Sequence, residues 1–267
     1  MRLSHVARDW LAAGEPALLV EVSDTQGSVP REAGTRMLVS MQQAAGTIGG
    51  GHLELKAIAQ ARAMLASGDT AVGSLYLPLG PALGQCCGGA VTLRFERLQS
   101  QHLAHWPGSK PLFHLQLFGA GHVGRAIARL LATLDVQVDW IDEREDEFPI
   151  RLGEGAWPDH VNKCVGDGVE GEVRRAPPGA FYLVLTHQHD LDLRITEAIL
   201  RRGDFGFLGL IGSRTKKHKF IHRLEERGIA PAQIERMVCP IGLPGIAGKA
   251  PEVVAVAVVA QLLQRAR

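Results

Sequence analysis

Cysteine, aromatic residues and net charge are all scarce in this sequence. Its 267 residues include four cysteines and 5% aromatic residues, and their formal net charge is +1. Four cysteines without a framework spacing predict free thiols in a reducing cytoplasm rather than a disulfide scaffold. A balanced charge gives no reason to expect nucleic acid or an anionic membrane as a partner.

The sequence also lacks long apolar runs. The apolar run at residues 253–260 is far shorter than the ~20 residues that a membrane-spanning helix needs. Residues 1–16 carry charges every few positions, which predicts an amphipathic helix and not a secretory signal. A hydrophobic fraction of 46% beside 21% charged residues is typical of a folded globular protein. The length fits two domains.

The first 98 residues predict a small α+β domain. Four apolar segments read as strands: "ALLVEV", "RMLVS", "AVGSLYLPL" and "AVTLRFERL". Between the second and third, a glycine-rich turn leads into a helix with one apolar stripe, formed by Leu53, Ala57, Ala61 and Leu65. Residues 99–111 are polar and contain Gly and Pro, which predicts a linker between two domains.

Residues 112–267 alternate between apolar strands and amphipathic helices. This alternation predicts a doubly wound, Rossmann-like parallel sheet with helices on both faces. The final segment from Pro251 is rich in valine, but its proline start, basic end and polar glutamines favour a helix. The helix after the first strand is expected to bury Val123, Ile127, Leu130, Leu131 and Leu134.

The turn "GAGHVG", residues 119–124, matches the G-x-G-x-x-G pattern of dinucleotide sites. A strand precedes it, a helix follows it, and a second strand ends at Asp142, near the ~20-residue spacing of a ribose-binding acid. Two readings stay open: a site for a dinucleotide or phosphate-bearing ligand, or a turn that binds no nucleotide. Arg144 could contact a phosphate or be a solvated charge, so NAD and NADP are not distinguished. The candidate ligand contacts here are Gly119, Gly121, His122, Gly124, Asp142 and Arg144.

A second polar cluster follows a later strand, in "THQHD". His187 and His189 lie at a strand's carboxyl end, where open α/β sheets bind ligands. They could contact a polar ligand or act in acid–base chemistry. They could instead cap a helix, or join Asp190 and Asp192 in a metal site, although no third ligand group is evident nearby.

The segment "LIGSRTKKHKF" is a further candidate anion site. Ser213 follows an apolar strand and opens a helix, so its hydroxyl either caps that helix or contacts an anion together with Arg214. The lysines that follow, Lys216, Lys217 and Lys219, are expected to form a solvated face.

Two of the four cysteines stand side by side in "LGQCCGGAV". A vicinal pair strains disulfide geometry, and C-x-x-C spacing is absent. Glycines expose backbone amides that stabilise a thiolate. Cys86 and Cys87 could therefore carry sulfur, contact a soft metal or attack an electrophile, or they could simply be two small packed residues.

Taken together, several segments resemble the xanthine dehydrogenase accessory protein family, also called XdhC/CoxI. In the first domain they are "EVSDTQGSVPREAGTRMLV", "GTIGGGHLELKAIAQAR" and "LGQCCGGAVTL". In the second domain they are "LFGAGHVGRAIARLL", "DEREDEFP", "LVLTHQHDLDLRITEAILRRGDF", "GLIGSRTKKHKF" and "PIGLPGIAGKAPEVVAVAVVAQLL". One departure occurs in the last segment, where Val253 follows Glu252 although the family commonly has two acids.

The resemblance implies a molybdenum cofactor (molybdopterin) chaperone rather than an enzyme, with a part in the sulfuration step left open. Such proteins hold the cofactor while a cysteine desulfurase supplies its sulfur, then deliver it to the molybdenum subunit of xanthine dehydrogenase. They are expected to be homodimers. Cys86 or Cys87 would be the thiol that contacts sulfur or molybdenum. Glu54 would bind the pterin or only balance the helix dipole. The other cofactor contacts expected in the first domain are Gly49, Gly50, Gly51, His52, Gln85, Gly88 and Gly89.

Two other classes of protein compete with this interpretation. The glycine turn fits an NAD(P)-dependent oxidoreductase, which would be the leading hypothesis without the family resemblance. A thiol redox protein is disfavoured by the vicinal spacing of the cysteines.

Overall fold

The chain folds into two compact units, Met1–Gly108 and Ser109–Arg267. The computed structural model describes residues 3–68, 72–79, 88–104, 106, 111–152, 157–166 and 168–266. The boundary between the units falls inside the segment 99–111, which the sequence predicts to be a linker. Within that segment, Ser100–Ala104 form a helix that belongs to the first unit.

The first unit is an antiparallel sheet with helices, as the sequence predicts for an α+β domain. Its strands pair in the order β3-β2-β1-β5-β4, and every pair is antiparallel. The strands are β1 (Ala17–Gln26), β2 (Arg36–Ser40), β3 (Ala44–Gly46), β4 (Gly73–Pro78) and β5 (Ala90–Arg97). The helices are α1 (Leu3–Ala12), α2 (Gly51–Ser67) and α3 (Ser100–Ala104).

Alternation along β1 places apolar side chains on both faces of this sheet. Val20 and Val22 share a core with the apolar stripe of α2, while Leu19 shares a second core with α1. Successive strand residues point to opposite faces, so one apolar strand serves both layers. The predicted stripe of α2 is confirmed, because its members are buried or packed against that first core.

The second unit is a six-stranded sheet in the order β11-β10-β9-β6-β7-β8, and every pair is parallel. Its strands are β6 (His114–Phe118), β7 (Gln137–Asp142), β8 (Val161–Val165), β9 (Phe181–Val184), β10 (Phe207–Leu210) and β11 (Met237–Val238). Its α-helices are α4 (His122–Leu131), α5 (Val169–Arg175), α6 (His189–Arg202), α7 (Arg214–Glu226), α8 (Pro231–Ile234) and α9 (Pro251–Arg265), and a 3-10 helix spans Glu145–Glu147.

Helices cover both faces of this parallel sheet, which confirms the predicted doubly wound architecture. Helices α4 and α9 share one core with the sheet, and α6 and α7 share the core on the opposite face. The inner strands β9 and β10 are buried along their whole length, as strands covered on both faces should be. The valine-rich C-terminal segment is the helix α9, as expected.

The helices of the described ranges include none long and apolar enough to cross a membrane.

Candidate functional site

The turn between β6 and α4 depends on two glycines. Gly119 has φ +118°, and a Cβ there would lie 2.3 Å from the carbonyl oxygen of Leu185. A Cβ on Gly124 would lie 2.1 Å from the carbonyl oxygen of Gly119. Both positions therefore exclude larger residues, because the backbone just after β9 lies against Gly119 and the start of α4 lies against the turn.

Gly121 differs from those two glycines. It precedes the first residue of α4 with an ordinary extended backbone (φ −69°), and its helix end receives no side-chain cap. Apart from Gly121 and its two chain neighbours, no atom of the described residues lies within 4 Å of a Cβ built there. The start of α4 therefore has no side-chain cap and has open space beside it, an arrangement that favours an anion.

This open space belongs to a depression of about 380 Å³, here called the cleft. It lies at the carboxyl ends of the strands, where open α/β sheets bind ligands. The cleft brings together five of the residues singled out in the sequence. Its lining is Gly121, His122, Val123, Gly124, Arg144, Glu147, Leu185, Thr186, His187 and Ile211.

Asp142, the last residue of β7, does not line the cleft. Its hydrogen bonds stabilise the glycine turn between β6 and α4. Its Oδ2 accepts hydrogen bonds from the amide of Ala120 (2.6 Å) and from Nη2 of Arg144 (3.0 Å). Its Oδ1 accepts from the amide and Nε of Arg144, both at 3.0 Å. Burial opposes ionisation of this carboxyl group, but the bonds from Arg144 and Ala120 outweigh it and lower the pKa of Asp142.

Arg144 is fixed by acids on two sides. Besides Asp142, its Nη1 lies 3.2 Å from a carboxylate oxygen of Glu147. Glu147 in turn pairs with Arg125 of α4, whose Nε also donates to the Glu147 carbonyl oxygen at 2.8 Å. Arg144 is thus part of an ion-pair network rather than a solitary surface charge.

The two histidines of "THQHD" belong to different depressions. His187 lines the cleft, and its Nε2 lies 3.5 Å from a carboxylate oxygen of Glu143. His189 begins α6 and, with Ser213, lines a second depression of about 580 Å³, here called the α6–α7 groove. In the described part of the chain, His, Cys, Asp and Glu form no group of three that could hold a metal ion.

Ser213 caps α7, because its hydroxyl accepts a hydrogen bond from the amide of Lys216 at 3.2 Å. Of the two roles that the sequence left open for Ser213, this bond shows the helix cap. Arg214 beside it is exposed and is absent from the linings of both the cleft and the α6–α7 groove.

The expectation that Lys216 lies on a solvated face is wrong. Its Nζ is 2.5 Å from Oδ2 of Asp192, whose side chain is buried, and it also donates to the carbonyl oxygen of Ile211 at 2.9 Å. The other oxygen of Asp192 accepts from the amide and hydroxyl of Thr186 (2.9 and 2.7 Å). This buried pair ties the segment after β9 to the segment after β10. No local pattern marks this ion pair, since Lys216 stands within a run of basic residues.

In the first unit, Glu54 stabilises the glycine-rich turn before α2. One carboxylate oxygen accepts from the hydroxyl of Thr47 (2.7 Å) and from the amides of Ile48 (3.3 Å) and Gly50 (3.0 Å). These bonds give Glu54 a structural role in holding the turn.

Three segments of the first unit meet at one end of its sheet. Gly49 has φ +132°, and a Cβ there would lie 2.6 Å from Pro30. A Cβ on Gly89 would lie 2.4 Å from the carbonyl oxygens of Gln26 and Ser28. The glycine-rich turn and the end of the double-cysteine segment therefore both contact the turn after β1. His52, Gly51 and Gly88 are exposed, whereas Gln85, Cys86 and Cys87 lie outside the described residues.

The two described cysteines are poor nucleophiles. Burial raises the pKa of the Cys164 thiol to about 11, and nearby acids add to the shift. Burial also raises the pKa of Cys239, which lies in the core beside α6. Both thiols therefore stay protonated at neutral pH and react slowly.

Comparisons with known proteins identify the family to which both units of the chain are similar. A model described as "XdhC Rossmann domain" matches residues 115–262, and one described as "XdhC and CoxI family" matches residues 10–75. The uncharacterized protein YqeB of Escherichia coli (strain K12) is 31% identical over 256 residues. That alignment covers 93% of this chain and 43% of YqeB, so the chain spans less than half of that curated relative.

A solved structure shares the fold of the whole chain. A Bacillus halodurans protein described as a xanthine dehydrogenase superposes with a TM-score of 0.77 at 18% identity, covering 99% of this chain and 96% of its own. With family models matching both of its units, the chain belongs to the XdhC and CoxI family.

Proposed function

We propose that this protein is a xanthine dehydrogenase accessory protein that binds the molybdenum cofactor. It holds the cofactor while a cysteine desulfurase supplies the terminal sulfur, then delivers it to the molybdenum subunit of xanthine dehydrogenase. The observation that carries the proposal is membership of the XdhC and CoxI family across both units. The role is that of a carrier, and sulfur transfer is assigned to the partner.

The described residues fit a phosphate-bearing cofactor. Space beside Gly121 that a Cβ would fill remains open, and no side chain caps the start of α4. A phosphate is an anion with several acceptor oxygens, which matches a set of amide donors at a helix start. The amides of His122 and Val123 would hold the phosphate. When bound, the cofactor's molybdenum supplies the centre that accepts the sulfur ligand.

The thiol role is assigned to Cys86 or Cys87. The chain has four cysteines, and the pKa values of Cys164 and Cys239 are raised by burial. A thiolate is the form that binds metals and attacks sulfur donors. The raised pKa values of Cys164 and Cys239 disfavour them for this role, which leaves it with the pair that the family resemblance assigns, Cys86 or Cys87.

An NAD(P)-dependent oxidoreductase is the second candidate, favoured by the glycine turn. The hydrogen bonds of Asp142 count against it, because the acid that would bind a ribose is already engaged by Arg144 and Ala120.

Activation of apo-xanthine dehydrogenase tests the carrier role. The protein is loaded in a host that makes molybdenum cofactor, purified, and mixed with the apoenzyme and a cysteine desulfurase. We expect activity to appear with the wild type and to fall sharply in Cys86→Ala or Cys87→Ala. Cys164→Ala serves as the matched control and should behave as the wild type. If both single variants retain cofactor and still activate the enzyme, the thiol assignment is wrong.

A further inference from the structure

Helix α7 concentrates positive charge at its start. It begins with the residues RTKKHK and has no acid in its first turn, although the whole chain has a formal net charge of +1. The start of a helix is the positive end of its dipole, so cations there oppose helix formation. Helix α6 shows the favourable arrangement, with Asp190 and Asp192 in its first turn. The charges of α7 therefore need a reason other than helix stability.

Lys216 has a structural reason, because its ammonium pairs with the buried Asp192. The exposed basic residues of α7 are a different set. At 3.6 residues per turn they fall within about half of the helix circumference, which is here called the α7 basic face. Its members are Arg214, His218, Lys219, His222 and Arg223.

The permanent charges of the α7 basic face are available to a partner. The side chains of Arg214 and Lys219 make no ion pair or hydrogen bond with the described residues. Arg223 lies 3.0 Å from a carboxylate oxygen of Asp190, but the two side chains are 52% and 86% exposed. Solvent weakens so exposed a pair, and another carboxylate can replace Asp190.

The α7 basic face consists of side-chain charge on a firmly held helix. Ser213 already accepts a hydrogen bond from the amide of Lys216, so the face does not depend on free amides at the helix start. The pair between Lys216 and Asp192 ties the same turn of α7 to α6. The face also borders the α6–α7 groove of about 580 Å³, which Lys219 and Arg223 line together with His189.

The spacing of the charges fits an extended acidic chain better than a small anion. Arg214 and Arg223 are separated by about 14 Å along the helix axis, so they cannot converge on one small ligand. An extended chain covers that length with about four residues. Phe220, the aromatic residue of α7, is buried in the core, so the helix offers no exposed Phe, Tyr or Trp on which a nucleic-acid base could stack.

From this arrangement we infer that the α7 basic face is a docking surface for an acidic segment of a partner protein. Asp and Glu carboxylates of that segment pair with Arg214, Lys219 and Arg223, as in other basic clusters that recognise acidic motifs. Complementary charge of this kind speeds association and selects the partner. The proposed function names two protein partners but assigns a surface to neither, so the docking surface goes beyond it.

Binding of a fluorescein-labelled oligoglutamate peptide, followed by fluorescence anisotropy, tests the docking surface. We expect the wild type to bind it at about 0.01 M ionic strength and to lose it at about 1 M, because salt screens exposed charges. Arg214→Gln combined with Lys219→Gln should weaken binding by about 2- to 30-fold, since each exposed ion pair contributes about 1.4- to 5-fold. Arg129→Gln combined with Lys249→Gln removes the same charge from exposed positions elsewhere in this unit and should bind as the wild type does.

Thermal unfolding of the same variants separates docking from a structural role. Arg214→Gln combined with Lys219→Gln should melt at the wild-type temperature or above it, because the loss of Arg214 relieves repulsion with the helix dipole. A clear fall in melting temperature would show that these cations serve the fold, and would overturn the inference.

Three binding results would also overturn it. They are an oligoglutamate that does not bind the wild type, an equal loss of binding in the control double variant, and a single-stranded DNA that binds more tightly than the peptide. Each is separable from the proposed function, because pterin content is measured independently. Protein that carries pterin but ignores oligoglutamate contradicts only the inference, and protein that binds oligoglutamate but carries no pterin contradicts only the proposed function.

Discussion

Replacing Lys216 with methionine is expected to destabilise the second unit strongly. Asp192 is fully buried, and the Lys216 ammonium 2.5 Å away is its counter-charge. Methionine fills similar space, but among the described residues the carboxylate then keeps only its bonds from Thr186. Removing one partner of a buried ion pair costs about 3–5 kcal/mol. For a unit of this size, about 2–4 °C per kcal/mol gives a fall in melting temperature of about 6–20 °C.

Differential scanning calorimetry of the full chain measures this fall. Lys219→Met is the matched control, because Lys219 lies on the same helix but is exposed, and it should change stability by no more than about 0.5 kcal/mol. Asp192→Asn combined with Lys216→Met removes both charges and keeps an oxygen for Thr186, so it should recover part of the loss. If Lys216→Met melts like Lys219→Met, the pair does not carry the stability assigned to it.

Two further predictions concern the glycine turn and its acid. Gly124→Ala should lose about 1–3 kcal/mol in urea unfolding, because its Cβ would lie 2.1 Å from a carbonyl oxygen, whereas Gly121→Ser should lose nothing, because that position is open and serine caps helices well. The lowered pKa of Asp142 means that its stabilisation is complete above the ordinary value of 3.8 and is lost as the pH falls through the lower folded value. Unfolding measured from about pH 5 to about pH 2 should therefore show less acid sensitivity in Arg144→Met; equal profiles for variant and wild type would contradict this.

Periodicity in the sequence predicted the long elements well, because those elements bury one regular face. The stripe of α2 and the buried face of α4 follow the helical repeat, and β9 is a short continuous apolar run. Elements without such a pattern were missed. Strands β3 and β11 have three and two residues, and both depend on pairing with a distant strand. No local signal marks such segments.

Parts of the candidate site were visible in the sequence, but their pairing was not. The glycine pattern and Asp142 indicated the turn, and the structure shows that Gly119 and Gly124 have no room for a Cβ whereas Gly121 lies beside open space. The role of Arg144, two residues beyond Asp142, stayed open. Sequence spacing does not reveal that the Arg144 side chain folds back onto the Asp142 carboxylate. Lys216 and Asp192 are 24 residues apart, so only the fold brings them together. Cys86 and Cys87 stay predictions.

The cofactor content of the purified protein tests the central claim most directly. The protein is isolated from a host that makes molybdenum cofactor, and its pterin and molybdenum are measured after denaturation. The account predicts both in the wild type, with a marked loss in Gly121→Asp and a smaller one in Gly121→Asn. Protein that carries NAD(P), lacks pterin and catalyses hydride transfer would contradict it.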